Sequence, residues 1–280
     1  MSGVEATDPR TAVALRPVAP AVKPATCEIR MLSSGEELVE SYRLRYGVYS
    51  ALGYLQRLNA ARLDIDEYDS SAIPFGAFDT ATGEMVGTLR VVTTRPQLDY
   101  DYLIRFIVSN CSDDDLVRQA WGPQPNPLPS ILSDDIDRQI DEFNVDHLDV
   151  CEMSRSIVRS DRRGSGISRA LIEFGMAHVM QYDRAILIGG CVPEHLPMYA
   201  RYGFTPLRER LEHFQAVGQL AHTLICRTDV LPEPTRTHIG NLVHAMKAGA
   251  TEHVHELGRD SRALFRLAAP RRARRRTMEW

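Results

Sequence analysis

This sequence predicts a mixed α/β fold, a twisted central sheet flanked by helices, on three observations. Strand-like and helix-like runs alternate: a helical face from Glu36, a hairpin over 74–92, and a strand–turn–helix–strand unit between 148 and 191. The 280 residues are 44% hydrophobic and 25% charged, ordinary proportions for a globular chain. No stretch approaches the roughly 20 apolar residues that span a bilayer. A multi-span membrane protein, a collagen-like repeat and a wholly disordered chain are thereby excluded.

The elements follow in order. Leu38, Tyr42, Arg45 and Tyr49 share one helical face, and Gly53 offers a stop. An acidic loop, Asp64-Ile-Asp66-Glu-Tyr-Asp69, comes next. The apolar run 74–78, the turn 79–83 and the run 85–92 read as an antiparallel hairpin. Strand alternation puts Arg90 on one side with Val86, Thr88 and Val92. Leu148–Val158 reads as a strand, 159–166 as a loop, and Ser168–Tyr182 as a helix. Ala185–Cys191 is a buried-type strand, and Glu194–Tyr202 is a short helix ending at Gly203. Leu207–Gln215 and His222–Val230 read as closing strands, and a polar helix begins near Thr237.

Charge and composition divide the chain into three. Residues 1–26 hold six Ala and four Pro without an apolar core and read as a disordered leader. Residues 27–230 form the main domain, interrupted at about 96–147 by a segment with ten acids and two arginines between Asp113 and Asp149. That segment reads as an acidic insertion or lid with some helix. Residues 231–280 supply a helix and an arginine-rich tail, with seven arginines and no acid from Arg262 to Arg276. The overall −4 therefore hides a body of about −11. An acidic body repels phosphates, so nucleic-acid binding is not expected. Five scattered cysteines without a CxxC suggest reduced thiols and a cytoplasmic protein. His253 and His255, with His244 nearby, lack further ligand spacing; they read as solvated helix, and no metal is expected.

The chemistry gathers in two stretches. Arg163-Gly164-Ser165-Gly166-Ile167-Ser168 follows a strand and opens a helix, where glycines permit a tight turn and unpaired N–H groups suit a phosphate. A plain strand-to-helix turn would also use glycine. Some forty residues on comes Met198-Tyr-Ala-Arg-Tyr-Gly-Phe204. Together they resemble the Gcn5-related N-acetyltransferase (GNAT) superfamily. The resemblance implies a GNAT-type acyl-CoA N-acyltransferase fold whose fourth and fifth strands splay apart. It implies a pantetheine–pyrophosphate arm held by Ile157, Val158, Arg163, Gly164, Ser165, Gly166, Ile167 and Ser168. Ser168 stands where the family has Gly or Ala. Tyr199 falls on the tyrosine that protonates the leaving thiolate, and plain core packing is its alternative reading.

A second set narrows the branch: Arg45 and Tyr49, Asp66 and Asp69, Arg90, then Glu152, Ser154 and Arg155. In that order they resemble the acyl-homoserine-lactone (autoinducer) synthases and the bacterial N-acyl amino acid synthases. The resemblance implies that Arg45, Asp69, Arg90 and Arg155 form a buried ion-pair network shaping an amine site. It makes Glu152 the base that deprotonates the attacking amine. Glu152 and Arg155 would face opposite sides of a flat strand, so both reach one site only across a bulge. The plainer reading is a structural Glu152–Arg155 ion pair. The expected donor is an acyl thioester, on the phosphopantetheine of an acyl carrier protein or on CoA, and the acceptor is a small-molecule amine. Gly53-Tyr54-Leu55 replaces the tryptophan of autoinducer synthases, which places N-acyl amino acid synthesis ahead of lactone synthesis. A small-acyl acetyltransferase and a silent thioester-binding module remain as alternatives. The basic tail has three readings: steering an acidic carrier protein, peripheral contact with anionic lipid at the inner membrane face, or a solubilising terminus.

Overall fold

The computed structural model describes residues 26–55, 58–94, 98–124, 126–130, 133–143, 150–181, 186–214, 218–249 and 252–256. The expected leader (1–25) and the arginine tail (257–280) lie outside the described residues.

Strand β1 (Thr26–Met31) leads into helix α1 (Gly35–Leu52). Ser34 caps α1 by accepting the Glu37 N–H at 3.2 Å, and two acids in the first turn suit its positive end. Gly53 ends it in the left-handed region, φ 71°. β2 (Ala72–Asp79) and β3 (Met85–Thr93) form the expected hairpin. β4 (Val150–Val158), α5 (Ile167–Met180) and β5 (Ile186–Cys191) form the parallel crossover unit. Between β3 and β4 lie α2 (Leu98–Ser109), α3 (Asp114–Ala120) and α4 (Ser133–Phe143). After β5 come α6 (Leu196–Ala200), β6 (Thr205–Pro206), β7 (Glu212–Phe214), β8 (Gln219–Arg227), α7 (Glu233–Lys247) and β9 (Glu252–Glu256).

Among the described residues one sheet runs β6-β8-β5-β4-β3-β2-β1-β9, with β7 paired to β8. Only β4–β5 is parallel. That pairing runs from Val150–Ile186 to Met153–Gly189 and stops. Beyond it β4 continues only beside β3, and β5 only beside β8. The fourth and fifth strands therefore splay, opening a wedge whose β4 wall carries backbone groups with no strand opposite.

The helices cover both faces. α5 lies on one face, and Leu89, Val91 and Met153 meet it at Gly175, where a Cβ would stand 2.7 Å from Leu89. α1 lies on the other, with Ser41 Oγ 2.8 Å from Thr88 Oγ1. The acidic segment is more than a lid. Ile104, Ile107 and Val108 of α2 and Leu116 of α3 are buried in one cluster with Leu38 and Tyr42 of α1 and Leu63 and Ile65 of the acidic loop. Burial of each such side chain is worth about 1.5–3 kcal/mol, so α2 and α3 are structural. Their apolar residues at helical spacing provide this inner face, while their acids stay outside.

The residues read as closing strands do form strands: β7 and β8 make a short hairpin preceded by the β6 stub, and β8 pairs with β5 along Ile186–Cys191. One expectation is corrected. The residues after α7 do not continue as solvated helix: 252–256, which include His253 and His255, form β9 at the β1 edge. Glu-His-Val-His-Glu alternates with period two, and the open edge of β1 offers it backbone partners.

α7 is docked on α5 by Ile239 and Leu242 and by a polar cluster around Glu173. Glu173 accepts from Arg169 Nε (2.8 Å), the Tyr202 hydroxyl (2.9 Å) and His238 Nε2 (3.0 Å). Burial pushes its carboxyl up, but His238 and Arg169 overcome that and hold it at about 2. A depressed carboxylate adds stability above its unfolded value and loses it as pH falls through the folded one. Glu173→Gln is expected to cost about 3 kcal/mol at pH 7 in urea unfolding. The gap from wild type should close as pH falls from 4.5 toward 2.

Candidate active site

α1 places Arg45 beside Tyr42 on its buried face, and only 2% of Arg45 is exposed. A guanidinium so placed needs full pairing. The acidic loop supplies it: Arg45 Nε donates to Asp64 Oδ2 at 2.9 Å, and its two terminal nitrogens donate to Asp69 at 2.7 and 3.1 Å. The loop also braces itself, because Asp66 N–H donates to Asp69 Oδ2 and Tyr68 N–H to Asp66 Oδ1. From β3, Arg90 forks onto Asp66 at 2.6 and 2.9 Å, lies 2.9 Å from Asp69, and donates Nε to Ser154 Oγ at 3.0 Å. From β4, Arg155 donates to Asp66 at 2.8 Å and lies 3.2 Å from Asp64. The Tyr49 ring centroid sits 5.2 Å from the Arg155 guanidinium carbon. Burial raises the Asp64 and Asp66 carboxyls, but the arginines outweigh it and hold both below the usual carboxylate range. Three arginines and three aspartates balance to zero.

Arg155 reaches this face only because the strand bulges. Arg90 pairs with Ser154 and Thr88 with Ile157, so Leu89 faces two β4 residues, Arg155 and Ser156. Arg155 has φ 54°, a left-handed conformation that costs a non-glycine residue about 1–2 kcal/mol. Strict alternation would send Arg155 with Met153 toward α5. The bulge turns it to the α1 side, where Glu152 and Ser154 already point.

Glu152 is 2% exposed and accepts the Ser130 N–H at 2.9 Å. Burial pushes its carboxyl up to about 7, against the Ser130 amide, Arg90 and Arg155. The plainer reading of a Glu152–Arg155 ion pair is corrected: Arg155 is engaged by Asp64 and Asp66. A carboxyl that ionises near neutrality can take a proton from an ammonium-forming amine. Tyr199, half-buried on α6, packs its ring 5.6 Å from Phe204, and burial pushes its phenol well above the ordinary value. It sits near Tyr49 and Cys191 and retains its proton at neutral pH.

At the far end of β4 a short 3₁₀ turn (Ser160–Arg162) leads into the glycine turn. Gly164 and Gly166 have φ 76° and 91°, so both positions demand glycine. Gly166 caps α5 without a side-chain acceptor, which leaves the first N–H groups of α5 open. The turn is pinned to the hairpin by Arg162–Asp79 at 2.7 Å and Arg159–Glu84 at 3.0 Å. Ser165 Oγ donates to Arg162 O at 2.5 Å, and Ser168 Oγ lies 3.4 Å from Ser156 Oγ. Ile167 and Ile157 are buried, Val158 partly so, and Arg163 is exposed. Among the described residues no cluster of His, Cys, Asp and Glu is grouped to hold a metal ion.

Residues 44–115 match the family model described as the acetyltransferase (GNAT) domain. The match spans about a quarter of the chain. It takes in Arg45, the three aspartates and Arg90, and stops before β4. No curated protein matches this chain. Among solved structures it is similar to FeeM, an N-acyl amino acid synthase from uncultured soil microbes. That pair is 18% identical with a TM-score of 0.49, covering 72% of this chain and 91% of the other. BjaI, a CoA-dependent acyl-homoserine lactone synthase with SAM and isopentyl-CoA, is 16% identical at TM-score 0.47, over 78% and 90%. The acyl-homoserine lactone synthase LasI is 17% identical at TM-score 0.46, over 73% and 90%.

The fold thus brings Arg45, Tyr49, Asp66, Asp69, Arg90, Glu152, Ser154 and Arg155 together, with the glycine turn at the end of the same strand. Sequence reasoning does not reach two participants of this site. Asp64 carries the same signal as Asp66 two residues on, an acid within an otherwise apolar stretch. Ser130 acts on Glu152 through its amide and its side chain, and nothing local in the sequence marks it. Asp66→Asn leaves Arg90 and Arg155 short of a carboxylate, and a loss of about 3–5 kcal/mol is expected in urea unfolding at pH 7. Asp115→Asn, whose partner Arg118 is exposed, should leave the midpoint where it is.

Proposed function

We propose that this protein moves a fatty acyl group from an acyl-carrier-protein or acyl-CoA thioester to the amine of an amino acid or related metabolite. The observation that carries this reading is Glu152: a buried carboxyl that ionises at about 7, beside a balanced ion network, on the strand that splays from β5. An amine needs such a base, because an α-amine is mostly ammonium at neutral pH and cannot attack until it loses a proton. The order of Arg45, Tyr49, Asp66, Asp69, Arg90, Glu152, Ser154 and Arg155 supports the branch that makes N-acyl amino acids.

In this mechanism the pyrophosphate or phosphate of the donor lies on the open N–H groups at the start of α5, with Arg163 beside it. The pantetheine arm runs into the wedge along Ile157 and Val158. Glu152 accepts the amine proton, directly or through a water, as the nitrogen forms its bond to the thioester carbonyl. A β4 backbone N–H beyond Met153, without a β5 partner, faces the developing oxyanion. The tetrahedral intermediate expels the thiolate, and Tyr199 supplies its proton. The acceptor sits against the Arg45–Asp69–Arg90–Arg155 wall.

Free-thiol release with a panel of acyl-CoAs and acyl-carrier thioesters plus pooled amino acids tests the reaction. Amine-dependent release with long-chain donors is expected. Release from acetyl-CoA alone would replace the reading with a small-acyl transferase, and tight thioester binding without release would replace it with a silent module.

The role of Glu152 has two signatures. kcat/KM should rise with pH to a plateau with an apparent pKa near 7, and Glu152→Gln should lower it by about 10²–10⁴-fold while thioester binding persists. The second signature is stability. A carboxyl raised from 4.5 to about 7 binds more protons folded than unfolded, so wild type loses stability as pH rises through that window. Glu152→Gln is therefore expected to match wild type near pH 4 and to exceed it by about 3 kcal/mol at pH 8.

A further inference from the structure

Glu152 accepts the Ser130 N–H at 2.9 Å, and the Ser130 side chain also favours its charged form; both groups come from the acidic segment. Residues 126–130 are held on two sides. On the side of the ion network, the Tyr68 hydroxyl donates to Asn126 O at 3.1 Å and accepts from Asn126 N–H at 3.3 Å, while Gln124 Nε2 donates to Glu67 O at 2.9 Å. On the other side lies Thr223 of β8, 3% exposed. Its hydroxyl is 3.2 Å from Ser130 O and 2.8 Å from Glu212 Oε2. Arg208 ties Glu212 of β7 to Asp135, at the start of α4 and five residues beyond Ser130.

The single Thr223 proton therefore lies between two acceptors, a peptide carbonyl and a carboxylate. With the proton present the two oxygens are held together; without it they repel. The carbonyl and the amide flank one Cα, and with Asn126 held by Tyr68 at the other end of the segment, a contact on Ser130 O restricts how far Ser130, and with it the N–H that meets Glu152, can shift. We propose that Thr223 is a positioning residue for Glu152, acting through Ser130 and contributing no atom to the reaction. The inference rests on Glu152 as the base. The other groups facing Glu152 are Arg90 from β3, Arg155 from β4 and the Tyr68 phenol from the acidic loop. Both arginines are held by aspartates, which leaves the two Ser130 groups, its amide and its side chain, as the adjustable contacts. An N–H aimed at the carboxylate favours its charged form, so losing it moves Glu152 further up.

The test compares Thr223→Val and Thr223→Ala with Thr223→Ser in the full chain. Glu152 is followed directly, by carbon-13 NMR titration of glutamate-labelled protein with its signal assigned through Glu152→Gln, and in parallel by the acid limb of kcat/KM. The Val and Ala variants are expected to raise both midpoints by about one pH unit, and Ser to leave both in place. A merely structural role for Thr223 would change stability and leave the midpoint alone. A folded Val or Ala variant with an unmoved Glu152 midpoint would overturn the proposal. The NMR midpoint needs no turnover: if it moves while no donor releases thiol, the proposed function fails and the positioning stands. If Glu152→Gln abolishes turnover while both Thr223 variants titrate like wild type, the function stands and the positioning fails.

Discussion

The six-membered ion network between Arg45, Arg90, Arg155 and Asp64, Asp66, Asp69 is the constraint on which the rest of the site depends. Its members come from α1, β3, β4 and the acidic loop, so it ties the helix, the hairpin and the fourth strand at one point. Isolated charges at that depth would cost several kcal/mol each, and shared pairing offsets this. Asp66 serves Arg90 and Arg155, Asp69 serves Arg45 and Arg90, and Asp64 serves Arg45 and Arg155. No arginine relies on one partner. Balance has a consequence beyond stability: a net-positive network would hold Glu152 ionised, and a net-negative one would keep it protonated far above neutrality. With the sum at zero, burial decides, and the carboxyl comes to about 7.

The same network explains why a strained residue persists. Arg155 in the left-handed region is unfavourable by itself, and a flat β4 would relieve it. A flat β4 would also point Arg155 toward α5, into an apolar layer with no carboxylate to meet it. Two ion pairs hold the bulge in place. The strand that carries the bulge also parts from β5 just before it, after Met153. Strain, splay and the raised carboxyl of Glu152 thus lie within four residues.

How much of this is legible in the sequence depends on where the information lies. Arg45, Glu152 and Arg155 could be read through their likeness to the synthase branch, with Arg45 on an apolar helical face and the conflict between the Glu152–Arg155 spacing and strand alternation as checks on it. The glycine turn could be read because two closely spaced glycines before a helical run leave few conformations. The acidic segment was harder, because its charges dominate its composition while its structural content is the few apolar residues that α2 and α3 bury against α1. β9 is five residues long, and its pairing with β1 is a contact between the two ends of the chain that no local pattern specifies. Ser130 is less accessible still: half of its contribution is an amide that every residue except proline has, and its side chain is one serine among many until the fold sets it beside Glu152. Thr223 reads as any strand threonine until β7, β8 and the acidic segment are brought together.

The chain contains its own comparison for Glu152. Glu173 is equally buried, on α5 across the same sheet, yet the two carboxyls move in opposite directions, to about 7 and about 2. Burial is common to both and cannot account for the difference. Glu173 is held by a guanidinium, an imidazole and a phenol at hydrogen-bond distance, whereas Glu152 has the neutral groups of a single serine, Ser130, and its nearest cations are held by aspartates. The first arrangement lowers the energy of the folded state through an ion and anchors α7. The second leaves the ion under-supported, which costs stability above neutral pH. A buried carboxyl that weakens the fold at working pH has no structural rationale, whereas a proton acceptor must hold its proton loosely enough to exchange it near neutrality. Depth, charge balance and the scarcity of direct donors together set Glu152 apart from the anchoring Glu173 and suit it to the base role proposed for it.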